Sequence, residues 1–370
     1  MNSTQKRKIL YIILRSDLGG GSLHVNQLID KLNNSFDLYC ASPIDKPFGE
    51  NWRSILGQDN FFELPHRYFS IKKVFSLSRF VRQNKIELVH SHGKGAGVYS
   101  RLLKLLNNSI KVIHTFHGFH PYTNKVGNKI YIGFERIFGR FTDLFINVSN
   151  GERRLCLNYK IISPNNSVII YNGVEENCNI KISKSELRKK LSLDSDKIII
   201  VSVNRFDPHK NLSMILDIAE RLQTNKNFLF LLIGDGEERV KLQVKAIHLN
   251  LNNIYFAGFK ENALDYMVGS DIYISTSLGE ALGYSIIESE MSGLPVIASN
   301  VLGHNEIIID GINGLLFDLG NIEQAKTQIL ELSEDESKAK KLAENGRIKF
   351  EKNFRLETMI TSIKEIYSKI

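Results

Sequence analysis

A chain of 370 residues with 42% hydrophobic and 24% charged content has the make-up of a globular protein with sizeable cores, and its length predicts two domains. Cys40, Cys156 and Cys178 stand far apart with no Cys-x-x-Cys or Cys/His cluster, which argues against a disulfide framework or structural zinc and for reduced thiols in a cytosolic protein. The basic start "MNSTQKRKILYIILRSDL" breaks its apolar run at Arg15, and no uncharged apolar run nears the ~20 residues of a spanning helix, so neither signal peptide nor membrane span is expected. Charge is unevenly divided: residues 1–174 hold 24 Lys+Arg against 11 Asp+Glu, net +13, leaving 24 against 29, net −5, for 175–370. A basic first half points to phosphates, an anionic membrane surface or nucleic acid.

In chain order, "KILYIIL", "DLYCAS", "IELVHS", "KVIHTF", "DLFINVS" and "SVIIYNG" read as buried parallel strands, separated by helical spacing such as Leu23–Leu32 and Ile71–Asn84. The alternation restarts after Lys197 with "KIIIVSVN", "NFLFLLIGDG", "NIYFAGF", "DIYISTS" and "LPVIAS". Between them, 175–196 is polar and reads as a linker with one short helix near Lys184–Leu191. The expectation is α/β: two doubly wound parallel-sheet domains, 1–174 and 197–350, with a helix over 351–370 packing back on the first. Ligands of such sheets sit at the carboxyl ends of strands, so the loops there carry the chemistry.

Four loops are unusual. "SDLGGGSLHV" puts Gly19, Gly20 and Gly21 at a helix start, where backbone can approach a ligand or simply turn tightly. The third glycine of G-x-G-x-x-G falls at His24, which disfavours a nicotinamide or flavin cofactor. "HTFHGFH" offers His114, His117 and His120 around Gly118. A metal reading competes with a hydrogen-bonding role for His117, and the latter is favoured because strand alternation separates neighbours and no carboxylate or cysteine stands among them. "VNRFDPHKNL" places Arg205 and Lys210 before a helix starting near Asn211, an anion site suited to a diphosphate.

The fourth, "SLGEALGYSIIESEMSGLPVIAS", carries Glu280 in a loop and Glu288 in the following helix. The amides of Gly283, Tyr284 and Ser285 would face a phosphate from that helix's first turn. Glu288 suits a ribose diol and Glu280 the hydroxyls of a second sugar, since a carboxylate accepts from two hydroxyls at once. A glycosidase acid/base pair needs a defined gap between carboxyls that this spacing does not specify.

Residues Arg205 through Gly314 resemble the donor half of glycosyltransferase family 4, retaining nucleotide-sugar enzymes of the GT-B fold. The matching pieces are R-x4-K at Arg205 and Lys210, "GDG" at Gly234–Gly236, "AGF" at Ala257–Phe259, E-x7-E at Glu280 and Glu288, "GLPVIAS", then Gly303, Glu306 and "DGINGLLF". The first half agrees through Gly19-Gly20, His117-Gly118, "NVS" and "YNGV". The resemblance implies that Arg205 and Lys210 neutralise the leaving diphosphate, Glu288 holds the ribose and Glu280 lies near the transferred sugar. It further implies donor contacts at Gly20, Gly234, Gly283, Tyr284 and Ser285, and His117 reaching the donor sugar from the other domain. It implies no metal or other cofactor and a nucleotide sugar, UDP-linked in preference to GDP-linked. Asp194-Ser195-Asp196, the one D-x-D, precedes a strand and reads as a solvated loop.

The acceptor is read from residues 65–85, where Arg67, Lys72, Lys73, Arg79, Arg82 and Lys85 interleave with Tyr68, Phe69, Phe75 and Phe80. This pattern fits an anionic leaflet, as does a second basic-aromatic stretch from Lys125 to Arg140; in the alternative, Phe75 and Phe80 face the core. The membrane reading favours a glycan or polyprenyl-diphosphate-linked glycan acceptor at the cytoplasmic face of a bacterial membrane, in surface polysaccharide assembly. No nucleic-acid module is recognisable. A nucleotide-sugar epimerase of the same fold and a catalytically silent sugar-nucleotide binder are the competing readings.

Overall fold

The computed structural model describes residues 6–119, 125–176, 182–194, 197–225 and 227–370. His120, Cys178, Ser195 and Asp196, and most of the D-x-D and part of the linker with them, lie outside the described residues. The chain divides into two compact units, 1–172 with 357–370 and 173–356.

Unit 1 holds a seven-stranded sheet of β1 (Lys8–Ile13), β2 (Asp37–Ser42), β3 (Phe61–Glu63), β4 (Leu88–His92), β5 (Lys111–Thr115), β6 (Leu144–Asn147) and β7 (Ser167–Ile169). Every pair is parallel and the order is β3-β2-β1-β4-β5-β6-β7. Unit 2 holds β8 (Ile198–Val203), β9 (Phe228–Ile233), β10 (Ile254–Gly258), β11 (Ile272–Ser275), β12 (Val296–Ser299) and β13 (Leu315–Phe317), all parallel, in the order β10-β9-β8-β11-β12-β13. Both are the doubly wound sheets expected. In each the strand order reverses between the first strand and its neighbour, β1/β4 and β8/β11, which opens a crevice at their carboxyl ends.

Helices on both faces explain the composition of the strands. A strand covered on each side has no solvent face, so it reads as an unbroken apolar run rather than an alternation. In β9 all six residues of Phe-Leu-Phe-Leu-Leu-Ile are buried, with Phe228, Phe230 and Leu232 packed with Ile200, Ile215 and Ile274 in one core cluster of unit 2 and the alternate residues turned to the other face. The unit 1 core gathers Leu10, Ile12, Val89 and Val112 beneath Leu77 and Leu103. Helix starts follow local chemistry: Ser70 Oγ accepts from the Lys73 amide to open Ile71–Gln83, and Ser149 Oγ accepts from the Glu152 amide to open Asn150–Asn158.

The last helix, Leu356–Lys369, lies in unit 1 from residue 357 onward. Tyr367 is fully buried there, its hydroxyl 2.6 Å from His90 Nδ1 and its ring edge-on to Phe36. Cys40 and Cys156 are buried free thiols, pushed up by burial. No helix among the described residues is long and apolar enough to cross a membrane.

Candidate active site

The crevice of unit 2 collects the residues singled out from its sequence. After β8 the chain turns at Asp207, whose Oδ1 accepts from the His209 amide at 2.9 Å and whose Oδ2 accepts from Arg205 Nε at 2.7 Å. Asn211 then takes a left-handed conformation, φ 48°, and the helix Leu212–Leu222 begins. The loop after β11 is bound to this turn: the Leu278 amide donates to His209 O at 2.8 Å, and Thr276 Oγ1 donates to the carbonyls of Lys210 and Asn211. The two loops are thereby held together where the strand order reverses.

Across that junction Lys210 Nζ donates to Glu280 Oε1. Burial pushes the Glu280 carboxyl up, but the Lys210 charge and hydrogen bond outweigh it, so the group is held below the ordinary glutamate range. Glu280 is further fixed by its amide donating to Leu302 O at 2.9 Å. Beneath it His304 is buried, its Nδ1 2.9 Å from Ser299 O. Gly303, at φ 89°, lies so close that an added Cβ would stand 2.4 Å from Glu280 O.

Glu288 lies within the helix Tyr284–Met291, which opens at Gly283 with no side-chain cap. Its first-turn amides therefore retain the positive end of the helix for a ligand. Burial pushes the half-buried Glu288 carboxyl up to about 7. Tyr273 donates to Ser285 Oγ at 2.8 Å, which fixes that side chain and leaves the amide untouched. The Tyr284 hydroxyl is buried without a partner. A Cβ at Gly283 would meet only ordinary contacts with Ile286 and His304, so nothing within the chain requires glycine there.

Two expectations change in detail. Gly234 has a structural duty as well: at φ 133° an added Cβ would stand 1.8 Å from Asn204 O, so this glycine lets the loop after β9 pass close to the Arg205 turn. Arg205 is half exposed and directs Nε and Nη2 to the single oxygen Asp207 Oδ2 rather than standing free, so an incoming anion must share or displace that carboxylate.

In unit 1, Gly20 is the first residue of the helix Gly20–Leu32, which has no side-chain cap. His114 and His117 separate, as strand alternation predicts. His114 is buried with Nδ1 2.9 Å from Ser91 Oγ, whereas His117 packs against His92 and His24. His92 Nδ1 and His117 Nε2 are 2.9 Å apart, and His24 Nδ1 faces Asn172 Oδ1 at 3.1 Å. Burial lowers all three, His24 to about 4, so they are neutral near pH 7. His117 sits at φ 54°, a left-handed backbone held by Glu152. That carboxylate accepts from the Gly118 and Phe119 amides at 2.7 and 3.2 Å and from the Val148 amide at 3.0 Å.

His24, His92 and Glu152 escaped the sequence reading. The H-x-H of "VHSH" was a usable signal, since a two-residue spacing puts both rings on one face of β4. Glu152 carried none, because its partners lie 33 or 34 residues away for two of its three bonds.

On the basic stretch, the helix Ile71–Gln83 buries Val74, Leu77, Ser78 and Val81. Phe80 packs on Tyr39 and Phe62, but Phe75 is 61% exposed, so the core alternative holds for one phenylalanine and fails for the other. Tyr68, Phe69 and Ile71 are exposed beside Phe75, as are Arg67, Lys72 and Arg79. Arg67 stands 3.5 Å from Asp17, and Lys73 turns inward to donate to Glu63 O at 2.9 Å.

Residues 183–349 match the family described as glycosyl transferases group 1, and residues 18–177 match glycosyltransferase family 4. The chain is 26% identical over 306 residues, 80% of its length and 79% of the relative's, to an Escherichia coli UDP-Gal:alpha-D-GlcNAc-diphosphoundecaprenol alpha-1,3-galactosyltransferase. It is 27% identical over 368 residues, 94% of its length and 96% of the other's, to an uncharacterized 41.2 kDa protein in the cps region of Klebsiella pneumoniae. Its fold is that of Anabaena HepE, crystallised with UDP and glucose, at a TM-score of 0.85 and 20% identity, covering 98% of this chain and 100% of that one. The fold is GT-B, and the chain belongs to the group 1, family 4 glycosyltransferases.

Proposed function

We propose that this glycosyltransferase moves a sugar, with retention of configuration, from a UDP-sugar to a lipid-diphosphate-linked glycan at the cytoplasmic face of a bacterial membrane. The observation that carries the donor site is the Lys210–Glu280 pair, locked at the β8/β11 reversal beside an uncapped helix that bears Glu288. Lys210 and Arg205 take the diphosphate with the amides of Gly283, Tyr284 and Ser285. Glu288 accepts from the ribose hydroxyls, and Glu280 and His117 bind hydroxyls of the transferred sugar.

The bond from the anomeric carbon to the diphosphate breaks first, leaving an oxocarbenium-like sugar and a nucleoside diphosphate whose terminal phosphate gains a second negative charge. Fixed cations and amides stabilise that developing charge without reorganising, which is where a preorganised site gains most. The acceptor oxygen then bonds to the anomeric carbon on the face the diphosphate leaves, and its proton passes to a diphosphate oxygen. No metal is required, since the cations and helix amides already face the charge. A uridine nucleotide is favoured because the Escherichia coli relative is named for UDP-Gal and the Anabaena neighbour holds UDP.

The lipid-linked acceptor is supported by the diphosphoundecaprenol in that relative's name and by the exposed aromatic and basic residues from Arg67 to Arg79. The test is a thermal-shift panel of UDP, GDP, ADP and CMP together with turnover of Lys210→Ala and Glu280→Ala. A shift with UDP at about 100 times its dissociation constant should approach ~2.7 kcal/mol. Both variants should fold and fail to turn over; wild-type activity in both would overturn the site.

A further inference from the structure

The imidazoles of His24, His92 and His117 stand at the carboxyl ends of β1, β4 and β5, with ring centroids 4.8 to 5.5 Å apart. One ring nitrogen from each lies within 4.8 Å of the other two, which makes them a group of metal-ligating atoms among the described residues. Sugar transfer uses only His117 and leaves the other two rings unexplained.

Their surroundings are not those of packing histidines. His24 Nε2 and His92 Nε2 are both buried without any hydrogen-bond partner. A buried polar atom left without a partner destabilises the fold unless something occupies it. His24 Nδ1 faces the Asn172 oxygen, which can only accept, so the proton sits on Nδ1 and the lone pair on Nε2. A ligating histidine is oriented in this way, its second nitrogen fixed by a carbonyl oxygen. His117 is half-buried where the other two are closed off, leaving one side of the cluster for water.

We propose that His24, His92 and His117 bind a zinc-class divalent transition-metal ion and that the bound ion withdraws His117 from the transferred sugar. The second half rests on the role given to His117 above; the first does not. Three neutral nitrogen donors with neither carboxylate nor thiolate favour zinc, cobalt, nickel or copper over the oxygen-seeking magnesium and calcium. Zinc–nitrogen bonds of about 2.0–2.1 Å set tetrahedral ligands about 3.3 Å apart, so the rings close in by side-chain rotation. The ion is an inhibitor, compatible with a transfer reaction that itself needs no metal.

Titration of the untagged full-length protein with cobalt(II) tests this, read by visible absorption. Intense tetrahedral bands should grow to one equivalent and be displaced by zinc. His24→Gln and His92→Gln should abolish them, and Asn172→Ala should weaken binding about 10–100-fold, as loss of an orienting partner does. Zinc should inhibit the wild type, and turnover by His24→Gln should no longer respond to it. No bands in the wild type, or unchanged bands in both glutamine variants, overturn the site. Stoichiometric binding without inhibition overturns the link to His117. The UDP thermal shift, which belongs to unit 2, reports separately on the donor reading.

Discussion

If Glu288 holds a ribose diol, donor binding must depend on pH in a way set by its burial. The diol donates two hydrogen bonds and selects the ionised carboxyl. With the carboxyl pushed up to about 7, the free protein at neutral pH is half in the protonated form. Binding releases that proton, so affinity is full above pH 7 and is lost as pH falls through it. Competition of one proton weakens binding by up to about 2-fold at pH 7, about 11-fold at pH 6 and about 100-fold at pH 5, which is about 1.4 kcal/mol at pH 6. Calorimetric titration with UDP-glucose from pH 5.5 to 8.5 reads this directly. A nucleotide sugar is the right probe, because the terminal phosphate of UDP itself titrates near about 6. Glu288→Gln should bind more weakly and show a flat profile. A flat wild-type profile, or the same slope in Glu288→Gln, would refute the assignment of the ribose to Glu288.

Gly303→Ala should leave the fold and nucleotide binding in place but lower kcat about 100-fold, because the new Cβ, 2.4 Å from Glu280 O, must displace the Glu280 loop by about 1 Å, enough to misplace a catalytic group. Steady-state kinetics check it, and unchanged kcat would mean Glu280 does not need its position. Glu290, fully buried and accepting from Asn313 Nδ2, is pushed up to about 8 by burial. The folded protein keeps that proton to about pH 8 while the unfolded chain gives it up above about 4.3, so this group costs stability increasingly as pH rises between them. Glu290→Gln should flatten that part of the urea-denaturation profile, and an unaltered slope would count against it. Lys72→Glu with Arg79→Glu should release the protein from anionic vesicles in flotation, each lost basic group being worth about 1 kcal/mol. Equal flotation of variant and wild type would dismiss that face.

How much was legible in the sequence follows from which interactions are local. The inner strands were readable because burial on both faces forces long apolar runs, as in "FLFLLI". β3 and β13 are three-residue edge strands and go unread, whereas β7, equally short and also at an edge, is legible because its apolar run continues into Ile170 and Tyr171. Glu280 and Glu288 could be found because loop and helix place them within one stretch. The Arg205–Asp207 pairing is equally local, but a cation before a helix start suits an anionic ligand as well as a neighbouring carboxylate, and spacing alone does not separate the two. Gly234 is legible only as part of the family resemblance, because the carbonyl that forbids a side chain there belongs to another loop. Glu152 looked like an ordinary first-turn acid behind Ser149, and only tertiary structure turns it toward the His117 loop.

Unit 1 is discontinuous in the chain, closed by residues made after all of unit 2. Chain order therefore inverts the usual sequence of domain maturation, in which the N-terminal domain completes first during synthesis. The sheet of unit 1 can assemble early, but its buried His90 waits for the Tyr367 hydroxyl and Phe36 for the Tyr367 ring. During translation the contiguous second unit can mature while the first still exposes that unfilled face, making it the place where a holdase would bind.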